Sequence, residues 1–464
     1  MGVRHGAIIG GRHTSWCVCD ICLVAAHLTL DNQRVDKRDG DSRRWIRRSP
    51  AGRLARVLGP GLITGAADDD PSGIATYSQA GAAYGYGQLW TLTICLPLMI
   101  SVQEAAARIG SVTRQGLTQV TARKFPKPIL LSVVAAVVIA NTINIAADIA
   151  AVGAAANLLI PLPAFALAGI FTLIVSAATI LVPYHNYARV LKVLALALFA
   201  YVVTALIVAE PWPEIITRTF VPALQWDSSY WYVIVGIFGT TISPYMFFWQ
   251  TSEEVEEARD SDRQGRARRS LRSIRTDVAI GMAASQAGSW FMMVTTATVL
   301  HNNGVTTIST AADAAAALEP LAQSFPNSGT VAKIIFAVGI LGLGLLGVPV
   351  LAGSASYAVS ELFGWREGLD KRATEARGFY AVIVVAMAVG LGLTVAGIDP
   401  IRSLIFAAVV NGVVAVPLVL IIRAIGKDTT LMGEFVNGRL SNAMLAITFV
   451  VMGACALALF VSLL

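Results

Sequence analysis

The hexapeptide Asp68-Asp69-Asp70-Pro71-Ser72-Gly73 sits inside an apolar run that extends from about residue 57 to residue 84. Three carboxylates in such a run are costly. An ionised aspartate near the centre of a bilayer costs about 3 kcal/mol on insertion scales, so it faces protein, a water-filled cavity or an ion. Pro71 removes a backbone donor and, with Gly73, opens the helix and leaves carbonyls unpaired. The aspartates also fall at the C-terminal end of the first half-helix, where the helix dipole disfavours negative charge. A bound cation resolves both problems. On an intact helix consecutive residues point about 100° apart, so two of these carboxylates share one ion only if the backbone unwinds there. Asp70, beside the proline, is the leading candidate ligand. Asp69 and Asp68 are further candidates, which could instead be protonated or face water in a vestibule.

The rest of the chain reads as membrane-spanning. Of 464 residues, 55% are hydrophobic and only 14% charged, and the mean hydropathy is +0.65. One soluble core cannot bury that much apolar surface. Apolar runs at about 57–84, 88–110, 128–159, 163–183, 190–209, 230–256, 276–300, 330–360, 378–397, 400–424 and 441–464 predict eleven helices of bilayer-crossing length. Basic residues alternate between their connections. One side receives Arg43 to Arg56, Arg114 to Lys127, Arg189 and Lys192, Arg263 to Arg275, Arg366 to Arg377, and Arg423 to Arg439, while the stretch 301–329 has no Lys or Arg. The positive-inside rule then puts the amino terminus in the cytoplasm and the carboxyl terminus outside, in a cell membrane. The sequence pI near 9.1 is orientation charge, with no nucleic-acid partner implied. Five cysteines are too few and scattered for a disulfide framework. Cys95 and Cys455 lie in apolar runs and read as packing residues.

Residues 1–55 differ in composition, being basic and without a spanning run; they read as a disordered cytoplasmic tail ahead of a transmembrane domain at 56–464. Cys17, Cys19 and Cys22, with His13 and His27, have zinc-binding chemistry, but their spacing fits no known finger or ribbon.

A second interruption lies in the sixth run, at Gly239-Thr240-Thr241-Ile242-Ser243-Pro244-Tyr245-Met246. If helices one to five and six to ten are inverted repeats, the first and sixth correspond, and both carry a proline-centred break. Paired breaks in matching halves are the best sequence pointer to a transporter's central site. The hydroxyls of Thr240, Thr241 and Ser243 and the freed carbonyls are then neutral oxygens opposite the aspartates. A purely structural kink accounts for one break but not easily for both.

These residues resemble the natural resistance-associated macrophage protein (NRAMP) family of divalent metal transporters over about residues 55–464. The resemblance rests on Gly59-Pro60-Gly61, on Gln79-Ala80-Gly81-Ala82-Ala83-Tyr84-Gly85-Tyr86, on Ala106-Ala107-Arg108-Ile109-Gly110-Ser111-Val112-Thr113, and on Leu431-Met432-Gly433-Glu434-Phe435-Val436-Asn437. It implies an all-α membrane protein with a LeuT-like inverted repeat of five plus five helices, broken helices one and six and an eleventh helix. It also implies alternating access, with a divalent metal ion as substrate and no resident cofactor.

The departures bear on which ion is carried. The family's Asp-Pro-Gly-Asn is here Asp70-Pro71-Ser72-Gly73, which keeps the aspartate and puts Gly73 in place of the asparagine ligand. Its Met-Pro-His-Asn is here Ser243-Pro244-Tyr245-Met246, with a hydroxyl where the family has a thioether. Thioethers select softer transition metals, whereas carboxylates, carbonyls and water suit Mg²⁺ and Mn²⁺. Mg²⁺ keeps several waters and needs only one or two carboxylates. The pattern resembles the NRAMP-related branch that includes magnesium transporters, and Mg²⁺ or Mn²⁺ is favoured over Fe²⁺ or Cd²⁺. Met246, three residues on, restores sulfur if its segment is helical. Asp148 in the third helix matches a family acid on the proton route, but the glutamate expected one turn later is Ala151. No histidine lies in a spanning run, so weakly coupled or facilitated transport is expected. Asp148 reads equally well as a satisfied interhelical hydrogen-bond partner.

Glu104 and Arg108, four apart, read as a structural pair. Glu253, Glu254, Glu256 and Glu257 read as a solvated helix end, and Asn411 as an interhelical contact. An amino-acid or organic-cation carrier on the same fold would present a half-helix N-terminus to a substrate carboxylate, not three aspartates. A cation channel would carry a filter repeat or acidic rings. No nucleophile constellation or embedded His and Glu cluster suggests an enzyme.

Overall fold

The computed structural model describes residues 64, 65, 68, 70–182, 199–208, 211–263, 270–323, 327–395 and 399–463. The tail expected at 1–55, Asp69 and the basic run around Arg266 to Arg269 lie outside the described residues. Among the described residues every regular element is helical. The main helices are α1 Pro71–Tyr84, α2 Leu89–Thr113, α3 Leu117–Lys124, α4 Lys127–Asn157, α5 Ala164–Leu181, α6 Phe199–Ile207, α7 Trp212–Phe220, α8 Ser228–Thr241, α9 Pro244–Arg263, α10 Leu271–Val299, α11 Ala311–Ala316, α12 Ser328–Phe363, α13 Arg377–Thr394, α14 Pro400–Gly426 and α15 Arg439–Ser462.

Each expected span holds described helical residues, the first and the fifth (α6) only in part. The first is described as helical at Thr64, Gly65 and Asp68 and then in α1, and the sixth is α8 followed by α9. Among the described residues, eight stretches are long and apolar enough to cross a membrane, with α1–α2 and α8–α9 each counted as one. The long helix α10 is more polar, carrying Arg272, Arg275, Asp277 and Gln286. The short helices α3, α7 and α11 are additions to the sequence reading. α11 is fixed by a capping box in which Thr310 accepts from the Asp313 N–H and Asp313 reaches back to the cap.

Both breaks are built from local chemistry. Asp70 is extended (φ −72°, ψ 172°) and caps α1, with Pro71 at the first helical position, where no N–H is needed. In the sixth span α8 stops at Thr241, Ile242 leaves the helical region (φ −117°, ψ 62°), and α9 restarts at Pro244. Around the breaks α10 packs along α1, α12 along α4, and α14 along α8. The last pair meets backbone to backbone: a Cβ on Gly239 would stand 1.9 Å from the Ala408 carbonyl oxygen, and one on Gly412 2.6 Å from that of Val235. Only small residues permit such an approach. Leu173, Ile174 and Leu181 of α5 and Val450, Leu457 and Phe460 of α15 point outward, as surfaces that meet lipid do.

The end of the bundle that gathers the basic connections is tied together by its acids. Arg108 donates to Glu104 (3.0 Å), Asn437 (2.7 Å) and Ser441 (3.1 Å), and Arg275 reaches Glu104 at 3.1 Å. The expected pair therefore joins α2, α10 and the connection before α15. Two of the glutamates of α9, Glu254 and Glu256, are not at a solvated end. Glu254 is buried and accepts from Gln250 (3.2 Å), and Glu256 accepts from the Tyr357 hydroxyl (2.5 Å) and the Leu369 N–H (3.0 Å). The segment 364–376 folds over them, which the charge pattern does not reveal. Beside them Glu361 of α12 accepts from the N–H groups of Thr118 (2.8 Å) and Gln119 (3.4 Å) and from Ser252 (3.1 Å), pinning the start of α3. Burial pushes the Glu367 carboxyl up to about 7, against the pull of Arg259 and Lys371.

Candidate metal site between the two broken helices

Asp70 is 1% exposed and lies where the two breaks meet. Its Oδ1 accepts from the Ser72 hydroxyl (2.5 Å) and the Gly73 N–H (3.0 Å). Its Oδ2 accepts from the Asn144 amide of α4 (3.0 Å) and the Tyr245 hydroxyl of α9 (3.3 Å). A buried carboxylate survives only with such donors or with a cation. Opposite, Thr240 Oγ1 is 3.4 Å from Ser72 Oγ, and a Cβ on Gly73 would stand 3.3 Å from it. Gly73 thus leaves room between the two breaks. The far wall is Gly347 of α12, where an added Cβ would meet Asp70 Cβ at 3.1 Å and Asp148 Oδ2 at 3.6 Å.

The other candidates sit differently. Asp68 is buried and accepts from Ser285 of α10 at 3.2 Å, a partner separate from those of Asp70. Ser243 turns its hydroxyl back onto the carbonyls of Gly239 (2.7 Å) and Thr240 (2.8 Å), so it caps the end of α8 and occupies the very oxygens that the break frees. Thr241 donates to Ile237 (2.6 Å) and pairs with the Tyr77 hydroxyl (2.8 Å). Met246 is fully buried one turn into α9. Asp148 is fully buried, and neither of its oxygens has a hydrogen-bond partner, so it is not the satisfied interhelical contact that its position allowed. Asn411 is likewise buried with both polar atoms unpartnered. Among the described residues no three His, Cys, Asp or Glu side chains gather to hold a metal ion.

Ser72, Asn144, Tyr245 and Gly347 were not singled out by the sequence. Asn144 did carry a signal, being a polar residue in an apolar run four positions before Asp148, hence on the same helix face.

The surroundings of the two breaks are closely packed. Towards α11 a cavity of about 10 Å³ is lined by Pro71, Ala151, Ala311, Phe336 and Leu404, all apolar. Towards the basic end, Trp249 and Tyr357 meet edge to face (6.2 Å, 70°), and Tyr357 leans on Phe379 (4.8 Å). There Ser354 also donates to the Tyr245 carbonyl at 2.8 Å.

The backbone arrangement recurs in solved structures. The manganese transporter of Eremococcus coleocola superposes with a TM-score of 0.67 at 17% identity, covering 88% of this chain and 86% of that one. MhsT in complex with L-phenylalanine gives 0.58 at 13% identity, covering 87% and 98%. These likenesses show the fold, a LeuT-like bundle with broken first and sixth helices. In sequence, the divalent metal cation transporter MntH of Pectobacterium carotovorum is 27% identical over 392 residues, 82% of this chain and 88% of that protein. MntH of Mycobacterium bovis is 24% identical over 409 residues, 86% of this chain; the chain spans about half of that relative's length, 55%. A profile described as natural resistance-associated macrophage protein-like matches residues 61–462, and with that match spanning the bundle and both breaks, the chain belongs to the natural resistance-associated macrophage protein family.

Proposed function

We propose that the chain carries a divalent metal cation across a cell membrane by alternating access, through the Asp70 site, with Mg²⁺ or Mn²⁺ favoured over Fe²⁺ or Cd²⁺. The observation that supports this best is Asp70 itself. It is one enclosed carboxylate at the meeting of two helix breaks, held by Ser72, Gly73, Asn144 and Tyr245 with no soft ligand among its hydrogen-bond partners. One carboxylate with neutral oxygens suits a hard ion that keeps part of its water shell. In this reading the Trp249–Tyr357–Phe379 stack and the apolar crevice by Pro71 open in turn, with the basic end of the bundle cytoplasmic and the transporting body at residues 56–464. Asp148 is the sole acid beside Asp70 on α4, and Ala151 lines the crevice where the related family has a glutamate, so transport carries little or no proton.

Purified protein in liposomes loaded with a metal-sensitive and a pH-sensitive dye tests both claims. Mn²⁺ or Mg²⁺ uptake should saturate, Asp70→Ala should abolish it in a protein that still folds, and the lumen should stay near its starting pH. Wild-type uptake by Asp70→Ala would remove the assignment of the site, linear flux without saturation would favour a channel, and acidification in step with metal flux would refute weak coupling.

A further inference from the structure

We infer that Asn144 is itself a ligand of the transported cation, its amide turning from a donor to Asp70 into an oxygen on the ion. The inference rests on the reading of Asp70 as the ion's carboxylate and extends it to a third wall of the site, α4.

Asn144 is fully buried. Its Nδ2 donates to Asp70 Oδ2 at 3.0 Å, while its Oδ1 is buried and accepts nothing. A buried amide oxygen without a donor is unfavourable by about 1–3 kcal/mol. One turn further along α4, Asp148 buries two carboxylate oxygens that likewise lack donors. Both acids border Gly347: its added Cβ would lie 3.1 Å from Asp70 Cβ and 3.6 Å from Asp148 Oδ2. This pocket wall is therefore rich in acceptors and short of hydrogens.

A half-turn of the amide about its Cβ–Cγ bond exchanges Nδ2 and Oδ1. The oxygen then stands about 3.0 Å from Asp70 Oδ2, where the nitrogen is now. In an octahedral shell with metal–oxygen distances of about 2.1 Å, neighbouring ligands are about 3.0 Å apart. The pair thus has the spacing of one edge of a Mg²⁺ or Mn²⁺ shell. The Nδ2 hydrogens would at the same time move to the edge that Oδ1 leaves. Asp148, at i+4 on the same helix face and with both oxygens lacking a donor, is the acceptor we assign to them. A cation on Asp70 so replaces one donor with a ligand and supplies Asp148 with the hydrogen bond it lacks. Asn144 also offers an amide where the first span, having Gly73 in place of an asparagine, offers none.

The test uses full-length protein in detergent with Mn²⁺ as probe. Mn²⁺ affinity is measured for wild type, Asn144→Leu and Asp70→Ala, and protein labelled with ¹³C at the asparagine side-chain amide is examined by electron–nuclear double resonance at saturating Mn²⁺. Asn144→Leu should weaken Mn²⁺ binding about tenfold or more. A ¹³C coupling of the size expected for a carbonyl carbon one bond from the ligand oxygen should appear in wild type and be lost in Asn144→Leu. A merely supporting hydrogen bond gives no such coupling. Its absence in wild type, its persistence in Asn144→Leu, or unchanged affinity in that variant would overturn the inference while leaving Asp70 in place. Wild-type affinity in Asp70→Ala would overturn the underlying reading and this inference with it. Should Asn144→Leu not fold, Asn144→Ser takes its place in both measurements.

Discussion

Gly347→Ala is the smallest change that presses on the site without touching a polar group. The added Cβ would lie 3.1 Å from Asp70 Cβ and 3.9 Å from its Cα. Carbon atoms settle at about 3.5–4.0 Å, so Asp70 or α12 has to yield by roughly 0.4–0.9 Å. The fold can absorb this. Alanine in a helix gains about 1 kcal/mol over glycine, against about 1–3 kcal/mol for overpacking, which leaves a net loss of about 0–2 kcal/mol. The site cannot, because Asp70 is held by four donors at 2.5–3.3 Å. A hydrogen bond to a charged group is worth about 1.5–3 kcal/mol, so stretching one or two of these, or misplacing the carboxylate by the same amount under an ion, reaches about 1.4 kcal/mol, or tenfold in affinity. Gly347→Ala should therefore bind Mn²⁺ about tenfold more weakly and transport it correspondingly slowly, with a melting temperature within about 5 °C of wild type. Gly392→Ala, where an added Cβ meets nothing within 4 Å, is the control and should leave Mn²⁺ affinity and transport unchanged. Isothermal titration and liposome uptake measure the outcome. Wild-type affinity in a folded Gly347→Ala protein would mean that the ion does not sit against Asp70.

Ser243→Met would replace the hydroxyl that caps Gly239 and Thr240 with a thioether, and Cd²⁺ uptake should rise relative to Mg²⁺ in competition assays; an unchanged ratio takes Ser243 out of the ion's surroundings. Ser243→Ala frees the same two carbonyls without adding sulfur, so it should lower stability by about 1–3 kcal/mol with no gain in Cd²⁺ selectivity, as a melting curve and the same assay would show. Glu367, its carboxyl pushed up from 4.5 to about 7 by burial, keeps its proton in the folded chain where the unfolded chain has lost it, so its contribution to stability falls as pH rises from about 4.5 to 7. Glu367→Gln should therefore raise the melting temperature relative to wild type more at pH 8 than at pH 5, and an equal or opposite difference would refute the burial argument.

Which parts of the molecule were legible follows from which interactions are local. The broken spans are local chemistry: Asp70 and Pro71 cap one half-helix, Pro244 starts another, and both can be read from a few residues in order. The Glu104–Arg108 pair is local too, at one helical turn. Glu256 of α9 was misread because its environment is made by Tyr357 and Leu369, more than a hundred positions away. Ser243 shows the same limit at short range, since a hydroxyl beside a proline can serve an ion or cap its own helix, and only the backbone path at Ile242 decides which oxygens it reaches.

The composition of the Asp70 wall depends on register between helices, which sequence patterning does not supply. Where the related family has an asparagine in the first span, this chain has Gly73, and the amide beside the aspartate is instead Asn144, 74 positions on. Such an exchange works only if a third helix leaves space for both acids of that wall. Gly347 leaves it, standing within about one methyl group of Asp70 and Asp148 at once. A side chain there would press on Asp70 and Asp148 together and shift the carboxylate that Asn144 reaches. The hard-ion character proposed for the site therefore depends as much on a missing side chain in α12 as on the hydroxyl that replaces a thioether in the sixth span.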